Sequence, residues 1–486
     1  MSLKERTVTG LLWSFLDDLA RTGIVFVSGI ILARLLTPRE FGLIGMTTIF
    51  IAVSQSFVDG GFSQALTRKQ DCTPADYSTV FIFNLLVSSA LFFLLWFASG
   101  AIGRFFGEPQ LAGIIPALSL GLIIGALGQV HRTQIYKALD FKLLTRISVV
   151  SSAIGGALGI ALACAGYGVW SLVVMTLSRA TVELVLFWLW RAWRPTLEFR
   201  WSSFREMFAF GSRLLLSGLI GTLHLHVYNL FIGKMFAAVE LGYYTQAYTF
   251  RNLPPQRLTD VVQRVSYPVL ATLQQDAPRL KAAYRRMLQS SILVSFVLML
   301  GMAASAESML IAVVGEQWRP AVAYLQLLCL AGVFYPLHAV NLNMFQVRGR
   351  SDLNLKMSVI KMASAAPPMA VGVFWGIKAM IVAMFFTSFA NYVLTATWSG
   401  RLIGYRLAEQ LRDILPPFAL AAAVAAPVYC LGRWLPIADA PKLLVQVIAG
   451  AVLTLGLAEV TRLDSYLYLK EVALNRLLRS KKLPHE

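Results

Sequence analysis

Residues 78–103, STVFIFNLLVSSALFFLLWFASGAIG, run for 26 positions without one charged side chain. A hydrocarbon layer about 30 Å thick takes about 20 helical residues at 1.5 Å each, so this stretch reads as a transmembrane helix. The same ruler, moved outward along the chain, gives fourteen expected spans. They are residues 11–36, 41–66, 78–103, 110–131, 145–165, 167–190, 208–236, 241–270, 287–313, 321–345, 357–375, 377–400, 414–433 and 443–461. Composition agrees: 57% of the 486 residues are hydrophobic, 14% are charged, and the mean hydropathy is +0.65. A soluble protein carries about 25% charged residues, so an ordinary soluble enzyme is excluded. The expected fold class is an all-α, polytopic membrane protein. Asp17, Asp18 and Arg21 interrupt the first apolar stretch, so it is expected to be a retained span and not a cleavable signal peptide.

The net charge of +18 would suggest nucleic acid in a soluble domain, but these cations sit in short loops between apolar blocks and act as topology signals. One set of alternate loops holds eight of the 43 Lys and Arg residues: Arg34, Arg39, Arg104, Lys234, Arg319, Lys378, Arg433 and Lys442. The other set, which shares its side with both termini, holds most of the remainder. Both termini are therefore expected in the cytoplasm. No loop reaches the size of a catalytic domain, no GxxxxGK[ST] or HExxH motif occurs, and the five histidines and four cysteines form no ligand spacing. No enzyme activity, catalytic residue, metal or cofactor is expected.

The chain also matches itself weakly at an offset of 200 to 210. Arg34, Glu40 and Gly42 fall on Lys234, Glu240 and Gly242; Gly107-Glu108 on Gly315-Glu316; Ile147-Ser148-Val149 on Met357-Ser358-Val359; Gly166 on Gly376. Two six-span lobes, 1–200 and 201–405, are expected, then two further spans in 406–461 and a basic amphipathic tail, 462–486. Six being even, the lobes should enter the membrane in the same sense.

Ionisable groups inside spans are the candidate functional residues, because each is costly in hydrocarbon. Asp17 and Asp18 precede Arg21 by four and three residues and can meet it on one helical surface, either as a self-neutralised cluster or as part of a water-filled cavity. The eighth span carries Arg251, Pro254, Pro255, Arg257, Asp260 and Arg264. Its competing reading is a cytoplasmic loop; as a span it cannot face lipid, and the proline pair should break its hydrogen-bond ladder. Asp59 stands alone near the end of the second span. Arg179 and Glu183 form an i,i+4 pair that should neutralise itself, while Arg213 and Lys361 lie near span ends and can snorkel.

The segments Gly10-Leu-Leu-Trp13, Ala33-Arg-Leu-Leu-Thr-Pro-Arg-Glu-Phe-Gly42 and Asp59-Gly-Gly-Phe-Ser-Gln-Ala-Leu66, on a fourteen-span frame, resemble the polysaccharide-transport (Wzx-type) flippases of the multidrug/oligosaccharidyl-lipid/polysaccharide exporter superfamily. The resemblance covers essentially the whole chain. It implies a V-shaped pair of lobes that moves an undecaprenyl-pyrophosphate-linked oligosaccharide outward, for exopolysaccharide, capsule or lipopolysaccharide O-antigen synthesis. It also implies pyrophosphate binding by cavity arginines, with Arg21 and Arg251 in the matching first and eighth helices. Arg257, Arg264 and Arg213 complete the expected substrate set, and Asp17, Asp18 and Asp59 are the expected ion-coupling set. The expected partners are the lipid-linked oligosaccharide, membrane lipids, a proton or sodium ion, and polysaccharide polymerase and export proteins; nucleic acid is not among them. A drug or small-molecule antiporter of the same superfamily is the alternative, disfavoured by the basic balance of the spans.

Topology reporters fused after Arg200 and after Glu486 should both report the cytoplasm; a periplasmic signal from either contradicts the orientation.

Overall fold

The computed structural model describes residues 20–191 and 193–471, and of residues 253–269, 351 and 355 the backbone alone. Among the described residues the chain is helical and divides into two compact units, Met1–Gly242 and Tyr243–Glu486. The first holds α1 (residues 20–35), α2 (Pro38–Asp59), α3 (Phe62–Arg68), α4 (Pro74–Phe106), α5 (Leu111–Lys137), α6 (Phe141–Cys164), α7 (Trp170–Trp190) and α8 (Trp201–Met235). The second is built from α9 (Ala238–Thr272), whose first turn belongs to the first unit, then α10 (Ala277–Ala304), α11 (Ala306–Val314), α12 (Ala321–Gly332), α13 (Tyr335–Val347), α14 (Ser351–Ala363), α15 (Ala366–Ile403), α16 (Leu407–Trp434) and α17 (Asp439–Thr461). A last helix, α18, spans residues 464–471, inside the expected amphipathic tail.

Eleven helical stretches among the described residues are long and apolar enough to cross a membrane. One of them, Asp352–Ile403, covers two expected spans, and Gly376 separates these with φ +83°, outside helical space. The expected first span begins outside the described residues. The expected eighth span is helical as α9 but is not among the eleven. Helix α9 also corrects one expectation: the backbone stays helical through Pro254 and Pro255. A proline removes one N–H and clashes with the carbonyl four residues back, yet its φ near −65° is helical, so the chain can continue past it.

Helix starts follow local chemistry. Thr73 and Asp76 cap α4 reciprocally: the Asp76 N–H donates to Thr73 Oγ1 at 3.3 Å and the Thr73 N–H to Asp76 Oδ2 at 2.8 Å. Glu40 likewise accepts from the Thr37 N–H at 2.6 Å to open α2. Where the sequence predicts one second span, Gly60 and Gly61 take positive φ, +52° and +74°, and split it into α2 and α3. Beyond α3, Lys69 donates to Glu206 of α8 at 3.0 Å, and that carboxylate holds the ammonium pKa above its ordinary value. The tenth expected span is split too, into α12 and α13, at Val333–Phe334.

The internal repeat has a backbone counterpart. Positive φ recurs at Gly107 and Gly315, at Leu139 and Gly349, and at Gly166 and Gly376, each pair separated by 208 to 210 residues. At the smaller offset the repeat forms a reciprocal contact. A Cβ on Gly42 would lie 1.7 Å from the Ala238 carbonyl oxygen, and one on Gly242 would lie 1.8 Å from that of Pro38. The first turns of α2 and α9 therefore cross backbone to backbone, as only glycine permits.

In the second unit α16 is fastened to α10 by polar contacts. Asp413, nearly buried, accepts from Arg285 Nε at 2.6 Å and from the Tyr405 hydroxyl, and Lys281 pairs with Glu409 at 2.8 Å. Beside them Tyr284 bonds Asn341, which also accepts from Ser399 at 3.2 Å and donates to Thr395 at 3.4 Å. Buried polar groups so connected specify one packing of helices where apolar surfaces alone would slide.

Gly42→Ala and Gly242→Ala should each lower the unfolding temperature of the purified protein in lipid nanodiscs, because the added methyl must push the α2–α9 crossing apart. Gly218→Ala and Gly221→Ala, with nothing within 4 Å of the new Cβ, should leave it unchanged or raise it, since alanine is favoured over glycine in a helix by about 1 kcal/mol. Equal behaviour of the two pairs contradicts the crossing.

Candidate substrate cavity

The break at Gly60–Gly61 directs Asp59, the last residue of α2, into a cavity of about 630 Å³ inside the first unit. Helices α2, α5, α7 and α8 line it, through Gln55, Ser56 and Asp59, Gln129 and Arg132, Glu183 and Phe187, and Thr222 and His226. A close approach of Gly61 to Gly211 lets α8 pack there, for a Cβ on Gly61 would stand 2.5 Å from the Gly211 carbonyl oxygen. The Asp59 carboxylate accepts from Ser63 Oγ at 2.6 Å and from Gln129 Nε2 at 3.0 Å. Ser56 and Thr222 hydroxyls meet at 3.1 Å across α2 and α8.

Glu183 corrects the expected self-neutralised pair. Its carboxylate accepts from Arg132 Nη2 of α5, at 2.5 Å, rather than closing on its own helix. Arg179, one turn before it, is half-buried and feels the charges of Glu183, Arg21 and Arg132 together. A second cavity of about 210 Å³, lined by Val25, Ser28, Ser152, Gly156, Arg179 and Glu183 among others, shares Ala180 and Glu183 with the first. Arg132 and Arg179 of the first unit thus stand near one carboxylate, Glu183, with Asp59 on the wall of the larger cavity.

Arg251 occupies a different environment in the second unit. Its guanidinium packs against Gly332 at the end of α12, where an added Cβ would fall 2.3 Å from Nε. It lies 5.8 Å from the Tyr248 ring centroid and 6.0 Å from that of Tyr335, the first residue of α13. Nη1 donates to Asn252 Oδ1 at 2.6 Å, and Nε is buried without a hydrogen-bond acceptor. The interrupted α12–α13 helix therefore frames a cation held by rings and glycine backbone.

Of the residues the sequence singles out, Arg21 is half-buried in the first unit beside Arg179, Asp59 lines the cavity, and Arg251 is held at the α12–α13 break. Arg213 is exposed on α8 and does not line the cavity. Asp17 and Asp18, and the side chains of Arg257 and Arg264, lie outside the described residues. Gln129 and Arg132 escape the sequence reading because they fall at the end of the fourth expected span, where Arg132 counts as a loop cation. Their i,i+3 spacing, which puts both on one face, is the signal that could have found them.

A family model described as "Polysaccharide biosynthesis protein" matches residues 31–323, more than half of the chain. The chain belongs to that family. Its relatives include the lipopolysaccharide biosynthesis protein WzxC of Escherichia coli K12, 25% identical over 463 residues, covering 93% of this chain and 89% of that protein. They also include the teichuronic acid biosynthesis protein TuaB of Bacillus subtilis 168, 26% identical over 434 residues, covering 87% and 88%. Among solved structures the chain is similar to the lipid II flippase MurJ in its inward closed conformation, with a TM-score of 0.75 at 13% identity, covering 95% of this chain and all of that one. The family resemblance read from the sequence holds, and the fold is similar to that of MurJ.

Proposed function

We propose that the chain translocates undecaprenyl-pyrophosphate-linked oligosaccharide repeat units across the bacterial inner membrane by alternating access through a basic cavity. The observation that carries this reading is that two arginines of neighbouring helices, Arg132 and Arg179, line the connected cavities of the first unit beside Glu183. An anion crossing hydrocarbon needs such cations in place, since a bare charge there is costly. Arginine suits the task because it stays charged when desolvated and grips phosphate oxygens bidentately. The flippase fold and the polysaccharide-synthesis relatives agree with it. The two relatives named above belong to different polymers at almost equal identity, so the shared element is a cell-surface polysaccharide and not a particular sugar.

In this reading Arg251, with Arg257 and Arg264 along α9 and Arg21 in α1, binds the pyrophosphate, while Asp59, with Asp17 and Asp18, couples movement to a proton or sodium gradient. Arg213, exposed, has the weakest support among the expected substrate residues. The substrate would come from enzymes that assemble sugars on the lipid carrier and pass to polymerase and export proteins outside. The alternative, a drug or small-molecule antiporter of the same superfamily, is weighed against by the polysaccharide-synthesis relatives and not by the charge balance of these cavities, where Asp59 and Glu183 face Arg132 and Arg179.

Arg251→Ala and Arg257→Ala should stop export of labelled lipid-linked oligosaccharide at matched membrane levels of protein. Lysine at either position should rescue only part of it, and Asp59→Asn should remove the dependence of export on the ion gradient. Near-normal export in both alanine variants contradicts the basic-cavity mechanism.

A further inference from the structure

Within the first unit the flippase reading gives the diphosphate one contact, Arg21 of α1. The structure singles out two more groups, which the sequence counts as a loop cation and as half of a self-neutralised pair. Gly155 and Gly159 of α6 seat α7 closely: a Cβ on Gly155 would come within 2.7 Å of Arg179 Cβ, and one on Gly159 within 2.7 Å of Met175 Cβ. That packing fixes the stem of Arg179, which lines the smaller cavity. From α5, Arg132 enters the larger cavity, with 43% of its side chain still exposed, whereas its partner Glu183 is only 15% exposed. Glu183 lines both cavities and is the carboxylate between the two arginines. The other acid among the described residues lining these two cavities, Asp59, is already engaged by Ser63 and Gln129.

Such an arrangement differs from a structural ion pair in one respect. A buried pair built for stability excludes water from both members, but here the arginine faces an open cavity and the carboxylate is the more covered member. A diphosphate entering that cavity offers more acceptor oxygens, in the bidentate geometry that guanidinium prefers, than the one carboxylate can. We propose that Arg132 and Arg179 form a diphosphate-binding site inside the first unit and that Glu183 is its resting counter-ion, displaced when the diphosphate arrives. This rests on the flippase reading for its natural ligand. In it Glu183 keeps the empty site neutralised and competes with the substrate, so that the same contact that stabilises the empty site helps to release the diphosphate.

The test uses the full-length protein in nanodiscs, with inorganic pyrophosphate and undecaprenyl diphosphate as probes in separate titrations. Glu183→Gln should bind both probes more tightly, by about tenfold, because a competing charged hydrogen bond is gone. Arg132→Gln and Arg179→Gln should each bind about tenfold or more weakly. Since Arg132→Gln strands a carboxylate and can impair folding, the double variant Arg132→Gln/Glu183→Gln is compared with Glu183→Gln alone, and the same weakening is expected there. Unchanged or weaker binding in Glu183→Gln overturns the counter-ion role; wild-type affinity in the arginine variants overturns the site. If the affinities follow the predicted order but wild-type protein moves no lipid-linked sugar, the site stands and the flippase reading falls.

Discussion

An ionised side chain cannot face hydrocarbon, and most of what is distinctive in this protein follows from where its intramembrane charges are put. Helices such as α4 carry only apolar and small polar groups through the layer and need nothing but neighbours. Helices α5, α7 and α9 carry arginines, so each must turn one face toward a cavity or a ring cluster. Arg132 and Glu183 meet across α5 and α7, Arg179 is seated against the glycines of α6, and Arg251 is held between Tyr248, Tyr335 and Gly332. Each of these placements needs a helix break or a close helix approach, and glycines supply both.

That division explains what could be read from the sequence. Fold class depends on apolar length, a local property, and most of the eleven apolar stretches follow the expected ranges, whereas Ala277–Ala304 starts ten residues before the expected ninth span. The repeat was legible for a similar reason: glycines that must take positive φ at loop turns, such as Gly107 with Gly315 and Gly166 with Gly376, leave a mark in sequence that survives drift elsewhere. Asp59 stood out because one carboxylate at the end of an apolar run has few structural excuses.

The cavity itself was less legible. Arg179 and Glu183 have ideal helical spacing for each other, and periodicity has no means of seeing that Arg132, 51 residues earlier, takes the carboxylate instead. The exchange is physically reasonable, since a partner on a neighbouring helix can approach in line while an i,i+4 partner must curl along its own surface. Charge counting misassigned Arg132 in the same way, because a residue one step past an expected span end is a loop cation in one dimension and a cavity cation in three. The proline pair of α9 shows the reverse error: a strong local signal for a break, in a helix whose backbone continues.

The central claim is that the protein moves a lipid because of the diphosphate that lipid carries. It is tested most directly by reconstituting the purified protein in liposomes with two labelled polyprenyl-linked oligosaccharides that differ only in the linkage, one a diphosphate and one a neutral ether, and following the label's accessibility from outside. The account predicts protein-dependent translocation of the diphosphate form and little of the neutral one. Equal translocation of both, or movement of neither, would contradict it.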